Sequence, residues 1–409
     1  MTTFDSDVSA PVIAPAQRDR LFPTLTSAQV ARIAAHGRRR TISRGDVLVE
    51  AGDKVFPFFV ILTGELQVLR PSSNTLIVAQ STGQFTGEGS LLTGRPSLAR
   101  LVVGGSGEVI ELAREQLLAL IQTDAELSEI LMRAFILRRT ELIAGGFGDV
   151  VMIGSVHCAG TLRVKEFLTR NGHPYRYVDL DKDVDAQQIL DRFQVGAADI
   201  PVLICRGSAI LRNPTNRQIA DCLGFNEAIE ETRIRDLVVV GAGPAGLSAA
   251  VYAASEGLDV LVLEANMPGG QAGSSSRIEN YLGFPLGISG NDLAGRAYAQ
   301  AQKFGAQVMI AKGATKLACE RQPYAVQVDD MARLSTKAIV IATGAEYRKP
   351  SLENASLFEG AGIYYGATPM EAQLCVDEEV IVVGGGNSAG QAAVFLADTT
   401  AHVHMTVDT

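Results

Sequence analysis

Leu237-Val238-Val239-Val240-Gly241-Ala242-Gly243-Pro244-Ala245-Gly246 is the stretch that decides the fold. Four apolar residues in a row, mostly β-branched, read as a strand buried on both faces of a parallel sheet. The strand runs straight into G-x-G-x-x-G and then into an alanine-rich helix. Such a turn aims backbone N–H groups at a pyrophosphate on a helix N-terminus. Gly241 permits the tight turn, Gly243 lets the backbone approach the ligand, and Gly246 lets helix and strand pack. Glu264 closes the next strand, Val260-Leu261-Val262-Leu263. It stands at about the 20-residue offset expected of an acid that binds a ribose. Strand, turn, helix and acid together predict a Rossmann-like nucleotide-binding unit, with Pro244 and Ala245 also against the ligand.

A second unit of the same style begins at Glu379-Val380-Ile381-Val382-Val383 and continues into Gly384-Gly385-Gly386-Asn387-Ser388-Ala389-Gly390. Gly384, Gly386, Asn387, Ser388 and Ala389 are the predicted contacts of a nicotinamide nucleotide. His402 to Val407 reads as its second strand. Asp408 is the candidate for the residue that chooses between NAD and NADP.

These two turns and the motifs between them carry a resemblance. Arg235 to Thr409 resembles the low-molecular-weight thioredoxin reductases and their relatives. The matching stretches are Gly241 to Gly246, Pro268-Gly269-Gly270-Gln271, Ile278-Glu279-Asn280-Tyr281-Leu282-Gly283-Phe284-Pro285, Ala342-Thr343-Gly344-Ala345, and Gly384 to Ala389. The resemblance implies FAD in the first site and NADPH in the second. It places Gly270, Gln271 and Asn280 along the flavin, with Thr343 and Gly344 close by. Two departures stand out. The family's redox C-x-x-C precedes the second glycine turn; here that place reads Tyr365-Gly366-Ala367-Thr368-Pro369, with Cys375 nearby and alone. A dithiol is needed to pass two electrons to a substrate disulfide through a mixed disulfide and a resolving thiol. The segment with which the family returns to its FAD domain is also lacking, so the resemblance implies a fragment with an incomplete site.

Upstream the style changes twice. Asp149 to Phe225 alternates strands (Val150–Ile153, Tyr175–Leu180, Val202–Cys205) with helices (Leu162–Asn171, Ala186–Phe193), which predicts a small α/β domain. It resembles the thioredoxin/glutaredoxin fold. Cys158-Ala159-Gly160-Thr161 lies where that family has C-x-x-C or C-x-x-S, and Ile200-Pro201 where it has a cis-proline. A helix N-terminus favours a thiolate, so Cys158 is the candidate catalytic residue, a single thiol without a resolving partner at Thr161.

Leu21 to Gly146 begins with a helix at Ser27–Ala35, continues through short strands, and ends in a helix from Ala125 to Ile143. Thr63-Gly64-Glu65, between Phe58–Leu62 and Leu66–Leu69, reads as a hairpin turn. The region resembles the cyclic-nucleotide-binding domain, a β-roll with flanking helices, on Arg44-Gly45-Asp46, Gly52-Asp53, Phe58 to Gly64, and the cassette Phe85-Thr86-Gly87-Glu88-Gly89-Ser90-Leu91-Leu92-Thr93-Gly94. In binding members a Gly-Glu pair holds the ribose and an arginine further on holds the cyclic phosphate. That arginine's place is Ser97 here, flanked by Arg95 and Arg100, so cyclic nucleotide is not an expected ligand. Residues 1–20, small and polar, read as a disordered arm.

The expected architecture is therefore multidomain. Residues 21–146 form a β-roll with helices, 149–225 a thioredoxin-like α/β domain, 235–350 the first half of a Rossmann-like FAD domain, and 351–409 the start of an NAD(P) domain. A net charge of -9 argues against nucleic acid and anionic membrane as partners. No apolar run reaches the roughly 20 residues of a membrane span. The five cysteines are scattered without a C-x-x-C pair, which excludes a disulfide scaffold or structural zinc and points to the cytoplasm. The expected function is an FAD-dependent, NADPH-linked oxidoreductase of the thioredoxin reductase class whose electrons leave by an unusual route. A thioredoxin-like or other small redox protein is the expected partner, and a homodimer is admitted. Two alternatives stay open: a ferredoxin-type NADP reductase, and a non-catalytic sensor or scaffold that binds nucleotides.

Overall fold

The structure is a computed structural model. It describes residues 15–407 apart from 72, 88, 145–149, 183–195, 197–198, 206–208, 330–331, 346–348, 350 and 361. The chain opens with α1 (Pro15–Leu21), α2 (Ser27–Ala34), β1 (Arg38–Ile42), β2 (Val47–Val49), β3 (Phe58–Leu69), β4 (Leu76–Ser81), α3 (Gly89–Thr93), β5 (Arg100–Leu112), α4 (Arg114–Thr123) and α5 (Ala125–Ala144). The strands form one sheet in the order β1-β5-β3-β4, with β2 also on β5. Thr26 and Gln29 cap α2 reciprocally, the Thr26 hydroxyl accepting from the Gln29 N–H and the Gln29 side chain from the Thr26 N–H. The Gln29 amide then donates to Glu126 on α5 at 2.7 Å. Phe58, Phe85 and Phe135 meet at centroid separations of 5.7 to 6.2 Å and fill the space between sheet and helices.

Two expectations fail in this region. Thr63-Gly64-Glu65 is not a hairpin turn, because β3 runs straight through it. The long partner β5 pairs with both halves, and the irregularity is absorbed by register shifts between Ile61 and Leu66. Gly64 does take a positive φ, +91°, but in a bulge, where a Cβ would lie 2.5 Å from the Gly105 carbonyl oxygen. Residues 15–20 are not a disordered arm. They belong to α1, which ends on buried Leu21, whose carbonyl accepts from Arg138 Nε on α5 at 2.8 Å. Residues 1–14 lie outside the described residues.

The middle of the chain contains β6 (Val150–Gly154), α6 (Ala159–Arg170), β7 (Arg176–Asp179), β8 (Val202–Cys205), β9 (Ala209–Arg212) and α7 (Asn216–Leu223). The sheet order is β7-β6-β8-β9, with β6 parallel to β7 and antiparallel to β8. The predicted helix Ala186–Phe193 lies outside the described residues. Strand β9 and α7 were not anticipated. The first is a short exposed edge, whereas α7 carries a legible capping box at Thr215 and a left-handed Gly224 at its end.

The glycine turns follow. β10 (Ile234–Val240), α8 (Pro244–Ser255), β11 (Val260–Glu264), α9 (Gly290–Lys303), β12 (Gln307–Ile310), β13 (Ala314–Ala318), β14 (Tyr324–Val328) and β15 (Ala332–Ile341) build a sheet ordered β12-β11-β10-β15-β14-β13. Its β12-β11-β10-β15 half is parallel, and β13 and β14 return antiparallel. After α10 (Ala355–Phe358) and α11 (Pro369–Leu374), β16 (Glu379–Val383), α12 (Asn387–Ala397) and β17 (His402–Thr406) form a separate β-α-β unit with parallel strands. The right-handed crossover rule leaves such a unit little topological choice.

One apolar cluster runs from Phe167 and Leu168 of α6 through Leu247 of α8 to Ala301 of α9, so the middle and C-terminal sheets share a core. The N-terminal region joins them by polar contacts at the C-terminal end of α6, where carbonyls lack intrahelical partners. Buried Arg95 donates to the Asn171 carbonyl at 2.8 Å and to the Tyr298 hydroxyl at 3.1 Å, and its guanidinium lies 4.2 Å from the Phe225 ring centroid. Arg139 Nε donates to the Gly172 carbonyl. Arg95→Met is expected to destabilise the protein by about 2–4 kcal/mol, since charge-assisted bonds to buried acceptors are lost. Chemical denaturation read by near-ultraviolet circular dichroism checks this; an unchanged midpoint would show that the seam contributes nothing.

Candidate functional site

The end of β10 meets the ends of β11 and β15, and the predicted site residues gather there. Gly241 has φ +104°, and its N–H donates to the Leu263 carbonyl at 2.7 Å. A Cβ on it would lie 2.3 Å from the Ala342 carbonyl oxygen, so the turn passes directly against Ala342-Thr343. A Cβ on Gly246 would lie 1.9 Å from the Gly241 carbonyl oxygen, which accounts for glycine at the helix–turn contact. Gly243 differs. Its φ is an ordinary -73°, and the nearest atom to an added Cβ is the Gly270 Cα at 3.8 Å. Gly243 and Gly270 thus present two bare backbones to each other, next to the start of α8. No side chain caps that helix end, and its first amides suit an anion. Pro244 opens the helix at the position where its missing N–H is harmless, with Ala245 beside it. This cradle fits a dinucleotide pyrophosphate.

Glu264 is buried at the end of β11. One carboxylate oxygen accepts from the Ala242 N–H and the other from the Asn266 N–H, both at 2.8 Å. The acid therefore holds the glycine turn in shape. Each oxygen keeps a further lone pair for a ligand hydroxyl. The Gly269 N–H donates to the Ala242 carbonyl at 2.8 Å, tying the second glycine loop to the first. The Gln271 side chain donates to the Ala345 carbonyl, which draws in exposed Thr343 and Gly344. Asn280 is exposed; the next residue, Tyr281, shares a hydroxyl hydrogen bond of 3.1 Å with Ser248 on α8.

Arg170, at the end of α6, is a site residue that sequence reasoning missed. Its Nη2 donates to the Pro268 carbonyl at 2.9 Å and to the Gly270 carbonyl, while Nη1 pairs with Glu166 at 3.0 Å. A Cβ on Gly273 would come within 2.7 Å of the same guanidinium. Nothing local marks this arginine, because the segments it joins are about a hundred residues apart.

Cys158 is the residue preceding α6, half-buried, with Sγ 3.7 Å from the Ile200 carbonyl oxygen beside the cis Ile200-Pro201 peptide. The segment after the A-T-G motif passes the same helix start, where a Cβ on Gly360 would lie 2.6 Å from the Ala159 Cβ. None of the five cysteines is in a disulfide. Burial first, then the carboxylates Glu371 and Glu378, pushes the Cys375 thiol up, and a thiol held protonated is a poor nucleophile.

The second glycine turn stands on its own unit. Gly384 has φ +132° and Gly386 precedes α12, again with no side-chain cap. Gly386, Asn387 and Ser388 are exposed, with Ala389 half-buried beside them. This end suits an anion in the same way. Asp408 lies outside the described residues. In the N-terminal region Ser97, in the expected arginine place, donates its hydroxyl to the Ala99 carbonyl at 2.9 Å. Of its neighbours, Arg95 turns into the seam and Arg100 pairs with Glu50 at 3.1 Å. Glu88 lies outside the described residues. Among the described residues no group of three or more His, Cys, Asp or Glu side chains could hold a metal ion, and no helix is long and apolar enough to cross a membrane.

Residues 235–408 match the pyridine nucleotide-disulphide oxidoreductase family. This part of the chain is thioredoxin reductase-like. Residues 39–124 match the cyclic nucleotide-binding domain family. The chain is 37% identical over 172 residues to a thioredoxin reductase of Ureaplasma parvum, covering 42% of this chain and 54% of that protein. It is 36% identical over 168 residues to the thioredoxin reductase of Bacillus subtilis, covering 41% and 52%. A solved thioredoxin reductase of Lactococcus lactis is 30% identical, covering 42% of this chain and 56% of that one, with a TM-score of 0.40. The chain spans about half the length of the curated relatives it matches. The architecture expected from the sequence, a β-rich cyclic-nucleotide-binding-like region followed by a Rossmann-like unit, is the one the two family matches describe.

The glycine contacts give a paired stability test. Gly246→Ala drives a methyl into the Gly241 carbonyl and is expected to cost about 3 kcal/mol or more. Gly257 has φ +81° with nothing within 4 Å of an added Cβ, so Gly257→Ala meets only backbone strain, about 1–2 kcal/mol. Equal losses in thermal melts of the two variants would contradict the packing role of Gly246.

Proposed function

We propose that this chain carries the nucleotide-binding part of an FAD-dependent, NADPH-linked oxidoreductase of the thioredoxin reductase class, and that its electrons leave without the usual C-x-x-C. The observation that carries the reading is the cradle formed by Gly241, Gly243, Gly246 and Gly270. Gly241 and Gly246 have no room for a side chain and Gly270 is held at φ +55° with only 3.1 Å to the Gly243 Cα, whereas Gly243 has room and still lacks one. A ligand accounts for that difference. FAD, when bound, accepts two electrons from NADPH and passes them on. The chain's residues divide the remaining work. Gly243, Gly270 and the first amides of α8 hold the pyrophosphate, and Glu264 shapes the turn and receives a ribose hydroxyl. Gln271, Asn280, Thr343 and Gly344 border the flavin, and Gly384, Gly386, Asn387, Ser388 and Ala389 take the nicotinamide nucleotide.

Cys158 is the thiol proposed to exchange with a disulfide, its place at a helix start beside a proline suiting a mixed disulfide. Its thiolate displaces one half of the disulfide as a thiolate and holds the other half, which is released as a second thiolate by the two electrons that NADPH supplies. The raised pKa of Cys375 argues against that residue in the role. A small redox protein in the cytoplasm is the proposed acceptor. The absence of cysteine from 365–369 also favours a ferredoxin-type acceptor, and the acceptor assay below separates the two.

Gly243→Ala is the deciding variant, because the protein itself accommodates the methyl. Its melting temperature should match the wild type while FAD affinity falls roughly tenfold or more, since the methyl occupies the ground the pyrophosphate approaches. Flavin absorbance after dialysis measures this. A variant that stays as yellow as the wild type would sink the FAD reading. With NADPH supplied, Cys158→Ser should abolish reduction of a small aromatic disulfide while leaving ferredoxin reduction intact; unchanged disulfide reduction removes Cys158 from the route.

A further inference from the structure

A cavity of about 490 Å³ lies inside the N-terminal region, well away from the glycine turns. That is the size of ordinary small-molecule pockets. It is lined by the strands β2 to β5, the Thr86-Gly87 turn, and the helices α1 and α5. Most of its wall is apolar, including Phe22, Val49, Phe56, Val68, Ile77 and Leu101. Its polar atoms are nearly all engaged by the protein. Thr86 Oγ1 accepts from the Phe59 N–H at 3.0 Å, and the Ser97 hydroxyl donates to the Ala99 carbonyl.

Of the three arginines of the wall, Arg18 is exposed and the other two are committed to the protein. Arg138 donates to the carbonyls of Leu21 and Gly87, both at 2.8 Å, and its guanidinium lies within 5 Å of the Phe22 and Phe85 ring centroids. Arg100 is paired with Glu50 and donates to Asn74. An anionic phosphodiester needs a cation or a nest of amides turned toward it, and these two guanidiniums already serve protein acceptors.

Gln80 is the exception. It is 2% exposed and lines the cavity from β4. Its Nε2 donates to the Phe85 carbonyl at 2.8 Å, which fixes the orientation of the amide. Its Oε1 is buried and accepts no hydrogen bond. A buried acceptor left without a donor is costly, and proteins seldom keep one without a use.

We infer that this cavity binds an uncharged, largely apolar small molecule that carries one hydrogen-bond donor, and that Gln80 Oε1 receives that donor. The ligand is not a nucleotide. The apolar wall supplies the affinity and the single acceptor sets the orientation. The site is independent of the FAD reading, because no residue of the two glycine turns lines it.

The test titrates the full chain with 1-aminoanthracene, a neutral fluorescent aromatic amine of suitable size. Saturable fluorescence enhancement with one site per chain is expected. 1-Naphthol should displace the probe at roughly five- to tenfold lower concentration than 1-methylnaphthalene, which has the same shape but lacks the donor. Gln80→Leu should erase that preference. Val78→Trp, two residues along β4 on the face shared with Gln80, should fill the cavity and abolish binding, with circular dichroism matching the wild type. The absence of saturable binding overturns the inference. So does equal displacement by 1-naphthol and 1-methylnaphthalene, binding that survives in a folded Val78→Trp protein, or displacement of the probe by cyclic AMP.

Discussion

The end of α6 is the point on which the arrangement of this protein depends. A helix C-terminus concentrates unsatisfied carbonyls and a partial negative charge, and here two arginines from the N-terminal region meet it. Arg95 takes the Asn171 carbonyl and Arg139 the Gly172 carbonyl. Arg170, on the last turn, reaches the other way and donates to the carbonyls of Pro268 and Gly270. Three segments of chain with separate sheets are thereby joined through one helix end. The bonds are charge-assisted and largely screened from water, so each is worth more than an exposed ion pair.

The seam also bears on the place where a cyclic-nucleotide domain would hold its phosphate. Arg95 and Arg100 flank the place where a cyclic-nucleotide domain would keep its phosphate-binding arginine, and both have protein partners. One is buried in the seam over the Phe225 ring and the other is paired with Glu50. Both guanidiniums serve protein acceptors. The cavity of the β-roll is largely apolar, and Gln80 Oε1 is its buried acceptor without a donor.

The first glycine turn and the second differ in support. Around the first, Glu264 holds the turn from below, Gly269 and Gly270 close it from the side, and the A-T-G segment lies against Gly241. The second rests on a two-stranded unit whose strand β16 leaves Ile381 and Val383 largely exposed. Similar local sequences thus sit in very different packing. The strand that leads into the first is buried on both faces.

The sequence alone determined the local chemistry: the apolar run of β10, the glycines that turn it, and Glu264 one strand on. These are legible because their causes lie within a few residues of one another, as in the steric limits at glycine. The tertiary structure decided what long-range partners decide. It made 63–65 a bulge and not a turn, because β5 is long enough to pair with both halves of β3. It ordered 15–21 by giving Leu21 a core and Arg138 a carbonyl. It turned Glu264 from a ligand acid alone into the brace of its own turn, and recruited Arg170 from the neighbouring fold. A side chain's partner across a hundred residues leaves no local periodicity to read, and only packing reveals it.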